Sequence, residues 1–325
     1  MPDPRLKTYA PIASRHLGIA GAVLATRQPT AGALRGNVPP WPRAEDADFH
    51  GTLAAIWIWA RHHRLSGDAR FAGNRAAAWA FVDAQGKRFV PESLDNAASD
   101  EAAYDCAVLL MAHGAERALT SSDGRRQALV ARAARVLAAH LGALHDLSGR
   151  EFKDPGFLAR ALIEHARSVE DRGLLAAGHK FVERAFGMRP PPPFAEEPAP
   201  ASGLFDFSST TATRVLAVLA AEGNTPFVGA WLRERVVPIV PATFTSRRQD
   251  ENTWNACAAW AVGQAYVAST DPTLMQAYTD IMDELERRDG DRDAALGRDR
   301  TFREAETAAT FYYALAVDAL VVDGR

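Results

Sequence analysis

The sequence predicts an all-α fold of about twelve helices, six inner and six outer, paired along the chain into a closed (α/α)6 toroid. Three observations carry this reading. Helices that are apolar on every side alternate with amphipathic ones. The turns between them recur roughly every fifty residues, the mark of a structural repeat. The pairing also closes when the first helix is set against the last.

The elements follow in order. An N-terminal helix, roughly Leu6 to Thr26, has no partner before it and is assigned as the sixth outer helix. Inner helices are expected to begin near Asp48, Asp100, Asp154, Ser208, Asp250 and Glu304. Their character is plainest from Leu53 to Ala60, from Ala256 to Val262, and from Ala308 to Val322, where Asp318 is the one charged residue. A helix apolar all round is buried on all sides. Short turns near Asp68, Asp123, Asp171, Asn224 and Asp271 then lead into outer helices. Two of these show the amphipathic stripe clearly. Leu274, Tyr278, Ile281 and Leu285 share one face, opposite Asp280, Asp283 and Glu286; Val130, Ala133, Ala134 and Leu137 oppose Arg125, Arg126, Arg132 and Arg135. An open solenoid would need a polar capping repeat. The last helix, with Phe311, Tyr312, Tyr313 and Leu315, is the least polar of all, so closure is expected.

The chain of 325 residues is read as one domain spanning 1–325, with the Pro-rich stretch at 189–207 as a long loop inside it. Apolar residues make up 47% and charged residues 24%, both ordinary for a globular protein. A net charge of −3, with Lys and Arg spread along the chain, argues against nucleic acid as a partner. No apolar run is long enough to cross a bilayer, so no membrane partner is expected. Cys106 and Cys257 lie inside apolar helical runs, which fits packing residues in a reducing, cytoplasmic setting. His62, His63, His113 and His165 lack metal-ligand spacing, and no phosphate loop or nucleophile elbow is present, so neither metal nor cofactor is expected.

The outer-to-inner connections are the long ones, roughly 28–47, 84–98, 146–153, 187–207, 241–249 and 289–303. All lead into the starts of inner helices and so gather on one face, where binding is expected. Converging helix N-termini make a positive field that holds carboxylates and anions. The candidate catalytic residues there are Glu101, Asp105, Asp250, Glu251 and Glu306. Glu101 and Asp105 lie four apart on one face of a buried helix, the setting that raises a carboxyl pKa, so Glu101 is assigned as acid. Glu251 begins its helix beside Arg247 and Arg248 and is assigned as base. Candidate substrate-binding residues are His50, Trp41, Tyr104, Phe152, Phe207, Trp254, Arg247 and Arg248. Each has a plainer role: Asp48, Asp154 and Asp250 are N-caps by type, Thr301 with Glu304 is a capping box, and Tyr104 and Trp254 suit core packing.

This pattern, with turns such as Leu65-Ser66-Gly67-Asp68-Ala69-Arg70-Phe71, resembles the (α/α)6 toroid enzymes: six-hairpin glycosidases and the related polysaccharide lyases and epimerases. The resemblance covers nearly the whole chain at the level of architecture. It implies a carbohydrate-processing enzyme, a glycoside hydrolase or polysaccharide lyase, acting on an oligosaccharide or other small-molecule substrate at the mouth of the ring. There a carboxylate pair, matched in type by Glu101, Asp250, Glu251 and Glu306, would supply acid and base. Two alternatives share the ring. One is a non-catalytic ring that binds a glycan or a protein. The other is a terpenoid cyclase or prenyltransferase toroid, faintly echoed by Glu45-Asp46-Ala47-Asp48 but without Gln–Trp repeats.

Overall fold

The computed structural model describes residues 9–42, 44–91, 99–119, 124–144, 155–186, 209–223, 225–238, 252–289 and 307–322. Among the described residues the inner helices are α2 (Phe49–Ser66), α4 (Ser99–Arg117), α6 (Pro155–Ser168), α8 (Ser209–Glu222), α10 (Asn252–Ser269) and α12 (Thr307–Asp318). The outer helices are α1 (Tyr9–Arg27), α3 (Ala72–Phe89), α5 (Gly124–Ala143), α7 (Arg172–Phe186), α9 (Pro226–Trp231) and α11 (Pro272–Asp289). A π-helical turn, Leu232–Val236, continues α9. No strand occurs among the described residues.

The inner helices form a closed ring. Each packs on the next, α2 to α4, α6, α8, α10 and α12, and α12 returns to α2. The apolar runs dictate this. In α2 every residue from Leu53 to His62 is buried, and in α12 every residue from Phe311 to Val317 is buried. Burying a side chain such as Leu, Ile or Phe contributes roughly 1.5–3 kcal/mol, so a helix of this kind is stable only with neighbours on all sides. Backbones also approach closely. Gly156 at the start of α6 lies where a β-carbon would run into the backbone of Thr213 on α8.

The outer helices lie over the ring with one stripe inward. Helix α1 packs on both α2 and α12 and so covers the closure. Trp59 is fully buried and donates its indole N–H to the Gly21 carbonyl at 2.8 Å. The Tyr313 hydroxyl lies 2.8 Å from His16 Nδ1. Burial, helped by Arg15, lowers the His16 pKa and favours the neutral ring. On the axis, Arg61 Nε meets both carboxylate oxygens of Asp318 at 2.7 and 2.9 Å, tying the first inner helix to the last.

The short turns at Asp68, Asp171 and Asp271 sit where the sequence places them; Asp123 and Asn224 lie outside the described residues. Gly67 ends α2 with φ +74°, a left-handed conformation that favours glycine, and its N–H donates to the His63 carbonyl at 2.8 Å. Asp171 and Asp271 accept backbone N–H bonds from Leu174 and Thr273, opening α7 and α11. One connection is shorter than expected. Helix α3 runs on to Phe89, because Gly86 lets it pack against Leu129 of α5 and Phe89 stacks on Phe49 at 4.7 Å. Both cysteines are free and buried, and burial pushes the Cys106 thiol up to about 12.

Candidate active site

The described connection from α1 to α2 shows how the inner-helix mouth is built. Asn37 holds it from within: its amide donates to the Asp46 carbonyl at 2.9 Å, and its Oδ1 accepts from the Asp48 N–H at 2.8 Å. The Val38 N–H donates to the Thr52 hydroxyl at 2.8 Å. The far side is pinned by α12, whose Thr307 donates its N–H to the Pro40 carbonyl and its hydroxyl to the Pro39 carbonyl. Trp41 follows this anchored Pro-Pro step and is 51% exposed, an indole held out to solvent between α2 and α12.

Four ionisable groups from the starts of α2 and α4 come together. Asp48 is the N-cap of α2; its Oδ1 accepts from the Gly51 N–H at 3.1 Å. It is buried, and its Oδ2 has no hydrogen-bond partner. Burial raises the Asp48 pKa; His50 and the Gly51 amide oppose the rise, and the charge of Glu101 adds to it. His50 is half-buried, with Nδ1 3.2 Å from Asp48 Oδ1 and 3.8 Å from Asp105 Oδ1. Asp105 is buried, whereas Glu101, one turn nearer the mouth, is exposed. The cluster thus pairs buried carboxyls with one that solvent and a ligand can reach.

Below the cluster the axis of the ring is packed with aromatic side chains. Tyr104 meets the His50 ring edge-on at 5.6 Å, stacks on Phe157 at 5.2 Å, and bonds the Tyr312 hydroxyl at 3.2 Å. Phe157 in turn meets Trp260 edge-on at 6.2 Å. Tyr104 is 3% exposed, so its ring belongs to this packed layer. Phe152, Phe207, Arg247, Arg248, Asp250, Glu251 and Glu306 lie outside the described residues, and Trp254 is placed only as a residue of α10.

Two residues stand out that sequence reasoning passed over. The sequence offers Asp48 as a cap; it is one, and it also carries the raised pKa and the contact to His50. Asn255, in the first turn of α10, is fully buried, and neither of its amide atoms has a hydrogen-bond partner. Its signal in the sequence is a lone amide opening the apolar run Ala256–Val262. Among the described residues no group of three or more His, Cys, Asp or Glu side chains could hold a metal ion. No described helix is long and apolar enough to cross a membrane.

Neither a known protein family nor a curated protein matches this sequence. Solved structures do match its fold. One is an inactive double variant of an α-1,6-mannanase from Salegentibacter sp. HEL1_6 in complex with α-1,6-mannotriose, with TM-score 0.58 and 8% identity over 94% of this chain and 98% of that one. Another is the Lin0763 protein from Listeria innocua, with TM-score 0.55 and 10% identity over 95% of this chain and 96% of that one. The chain therefore has an all-α (α/α)6 toroid fold.

Proposed function

We propose that this protein is a carbohydrate-processing enzyme of the glycoside hydrolase type, working at the mouth formed by the inner-helix N-termini. The observation that carries the reading is the cluster of Asp48, His50, Glu101 and Asp105. Hydrolysis of a glycosidic bond needs one carboxyl group to give a proton and a second to act as base or nucleophile. Glu101 is the exposed member and so the one placed to touch a glycosidic oxygen. Asp48 and Asp105 stand behind it in a buried setting, and burial raises the Asp48 pKa. His50 lies between them as a positioning residue. Glu251 is proposed as the second carboxylate, with Asp250 and Glu306 as neighbouring acids and Arg247 and Arg248 as hydrogen-bond donors to the sugar. Trp41 is proposed as a stacking platform, with Phe152, Phe207 and Trp254 completing the aromatic rim.

The mannanase comparison supports the choice of acidic residues. Its inactive variant has two adjacent aspartates replaced by asparagine. Adjacent acids occur in this sequence at Asp100–Glu101 and at Asp250–Glu251. The direct test is turnover of α-1,6-mannotriose and a panel of neutral and uronic oligosaccharides by the purified chain. Prenyl diphosphates serve as the contrasting substrate class. Release of reducing sugar that is lost in both Glu101→Gln and Glu251→Gln is the expected result. Saturable sugar binding with no turnover would assign the chain to the non-catalytic rings instead. Full activity in both variants would remove these two residues from the chemistry.

A further inference from the structure

A second cavity opens at the opposite end of the ring axis, where the inner helices end. It has a volume of about 490 Å³ and is bounded by α2, α4, α6, α10 and α12. The packed layer of Tyr104, Phe157 and Trp260 belongs to the axis between it and the mouth. Its character is set by Arg61, Arg64, Arg160, His165, Trp260 and Gln264. Helix C-termini carry partial negative charge, so cations there are ordinary. Two features go beyond that role.

The first is a preset cationic plane. The Arg160 guanidinium lies 4.7 Å over the Trp260 ring and is 2.7 Å from Glu164. Gln264 fixes it further: its amide N–H donates to the Ala319 carbonyl at 2.6 Å, which turns its oxygen toward Arg160 at 3.3 Å. Arg61 is oriented in the same way by Asp318. Guanidinium groups stacked on a ring and held in plane are pre-organised for carboxylate or phosphate oxygens. Three arginines line the cavity against two acids, Asp318 and Glu164, which leaves one positive charge in excess.

The second feature is unmet hydrogen bonding. Arg160 is 8% exposed, and its Nε has no hydrogen-bond partner; His165 is 7% exposed, and neither does its Nδ1. Buried polar atoms are nearly always paired, so two orphans on residues that line one cavity point to a group that would complete them. Burial, then Arg117, lowers the His165 pKa, and the neutral ring can offer an N–H without adding charge.

We propose that this cavity binds a small organic anion, a phosphate monoester or a carboxylate carried on a compact ring. The anion lies on Arg160, with Arg61 and Arg64 alongside, and the ring packs among Trp57, Met111 and Leu315. This site stands apart from the proposed active site, and its failure would leave the hydrolase reading untouched.

Calorimetric titration of the full chain tests it with three probes: inorganic phosphate, mannose 6-phosphate and glucuronate, with mannose as the uncharged control. Saturable binding of mannose 6-phosphate or glucuronate, at least tenfold tighter than mannose, is expected; the stronger of the two identifies the anion as phosphate or carboxylate. Arg64 is exposed, so Arg64→Glu keeps the fold, as circular dichroism will verify, and weakens binding at least tenfold. Arg160→Lys keeps the charge but loses the planar fork and should weaken binding similarly. Absence of saturable binding by every anion overturns the proposal. So does anion binding that neither substitution changes.

Discussion

His50 Nδ1 lies 3.2 Å from the carboxylate of Asp48, two residues before it at the opening of α2. The same nitrogen is 3.8 Å from Asp105 on the next inner helix. A helix cap is thereby joined to a neighbouring helix through one imidazole. The cap and the ionic contact make separable contributions.

Replacing Asp48 separates them. Asp48→Ala removes the oxygen that caps α2 and should destabilise by about 1 kcal/mol or somewhat more. Asp48→Asn keeps an acceptor for the Gly51 N–H and removes a carboxylate whose ionisation burial disfavours. It should therefore cost clearly less than the alanine variant at pH 7. Urea unfolding at that pH decides, and equal losses would mean that the charge, not the cap, is what α2 requires.

Arg61 and Asp318 join the two ends of the inner ring, with 6% and 16% side-chain exposure. Asp318→Ala leaves a guanidinium buried without this partner, a loss of about 3–5 kcal/mol for a buried pair. Chemical denaturation should show that loss. A change below 1 kcal/mol would show that ring closure rests on apolar packing alone.

Acid should weaken the fold through His113. Its pKa is driven down to about 4, chiefly by burial, then by His165, Arg117 and Arg126. A histidine whose pKa is lower folded than unfolded favours the unfolded state once that state takes up the proton. Its effect is absent above about pH 6.5 and grows as pH falls toward 4, to roughly 3 kcal/mol. His165 is shifted the same way. In His113→Leu the stability between pH 6.5 and 4 should fall less steeply than in the parent. An unchanged slope would place the acid sensitivity elsewhere.

Trp41 is exposed, and its carbonyl accepts from the Ala44 N–H. Trp41→Ala should leave unfolding within about 0.5 kcal/mol of the parent, as for other surface changes. Binding of an oligosaccharide substrate should weaken by about tenfold, the loss of one aromatic anchor. Unaltered affinity in a variant of unaltered stability would take Trp41 out of the binding surface.

The sequence by itself determined the ring. Apolar character on all sides of Leu53–Ala60, Ala256–Val262 and Ala308–Val322 demands burial of those helices, and the turn spacing says which neighbours bury them. It also points to the starts of the inner helices as the face to test for binding, because the long connections lead into them. Only the tertiary structure decided what the polar residues do there. Asp48 looks like any N-cap in the sequence, and its contact to His50 and its approach to Glu101 depend on the packing of α2 against α4. Tyr104 could equally have faced the mouth, and its bond to Tyr312, over two hundred positions away, draws it into the axis. Arg61, Arg160, Trp260 and Gln264 carry no joint signal along the chain, because they come from three helices and meet only when the ring closes. Periodicity reports which face of one helix is buried; a site is built from faces of several, and their meeting is a property of the closed ring.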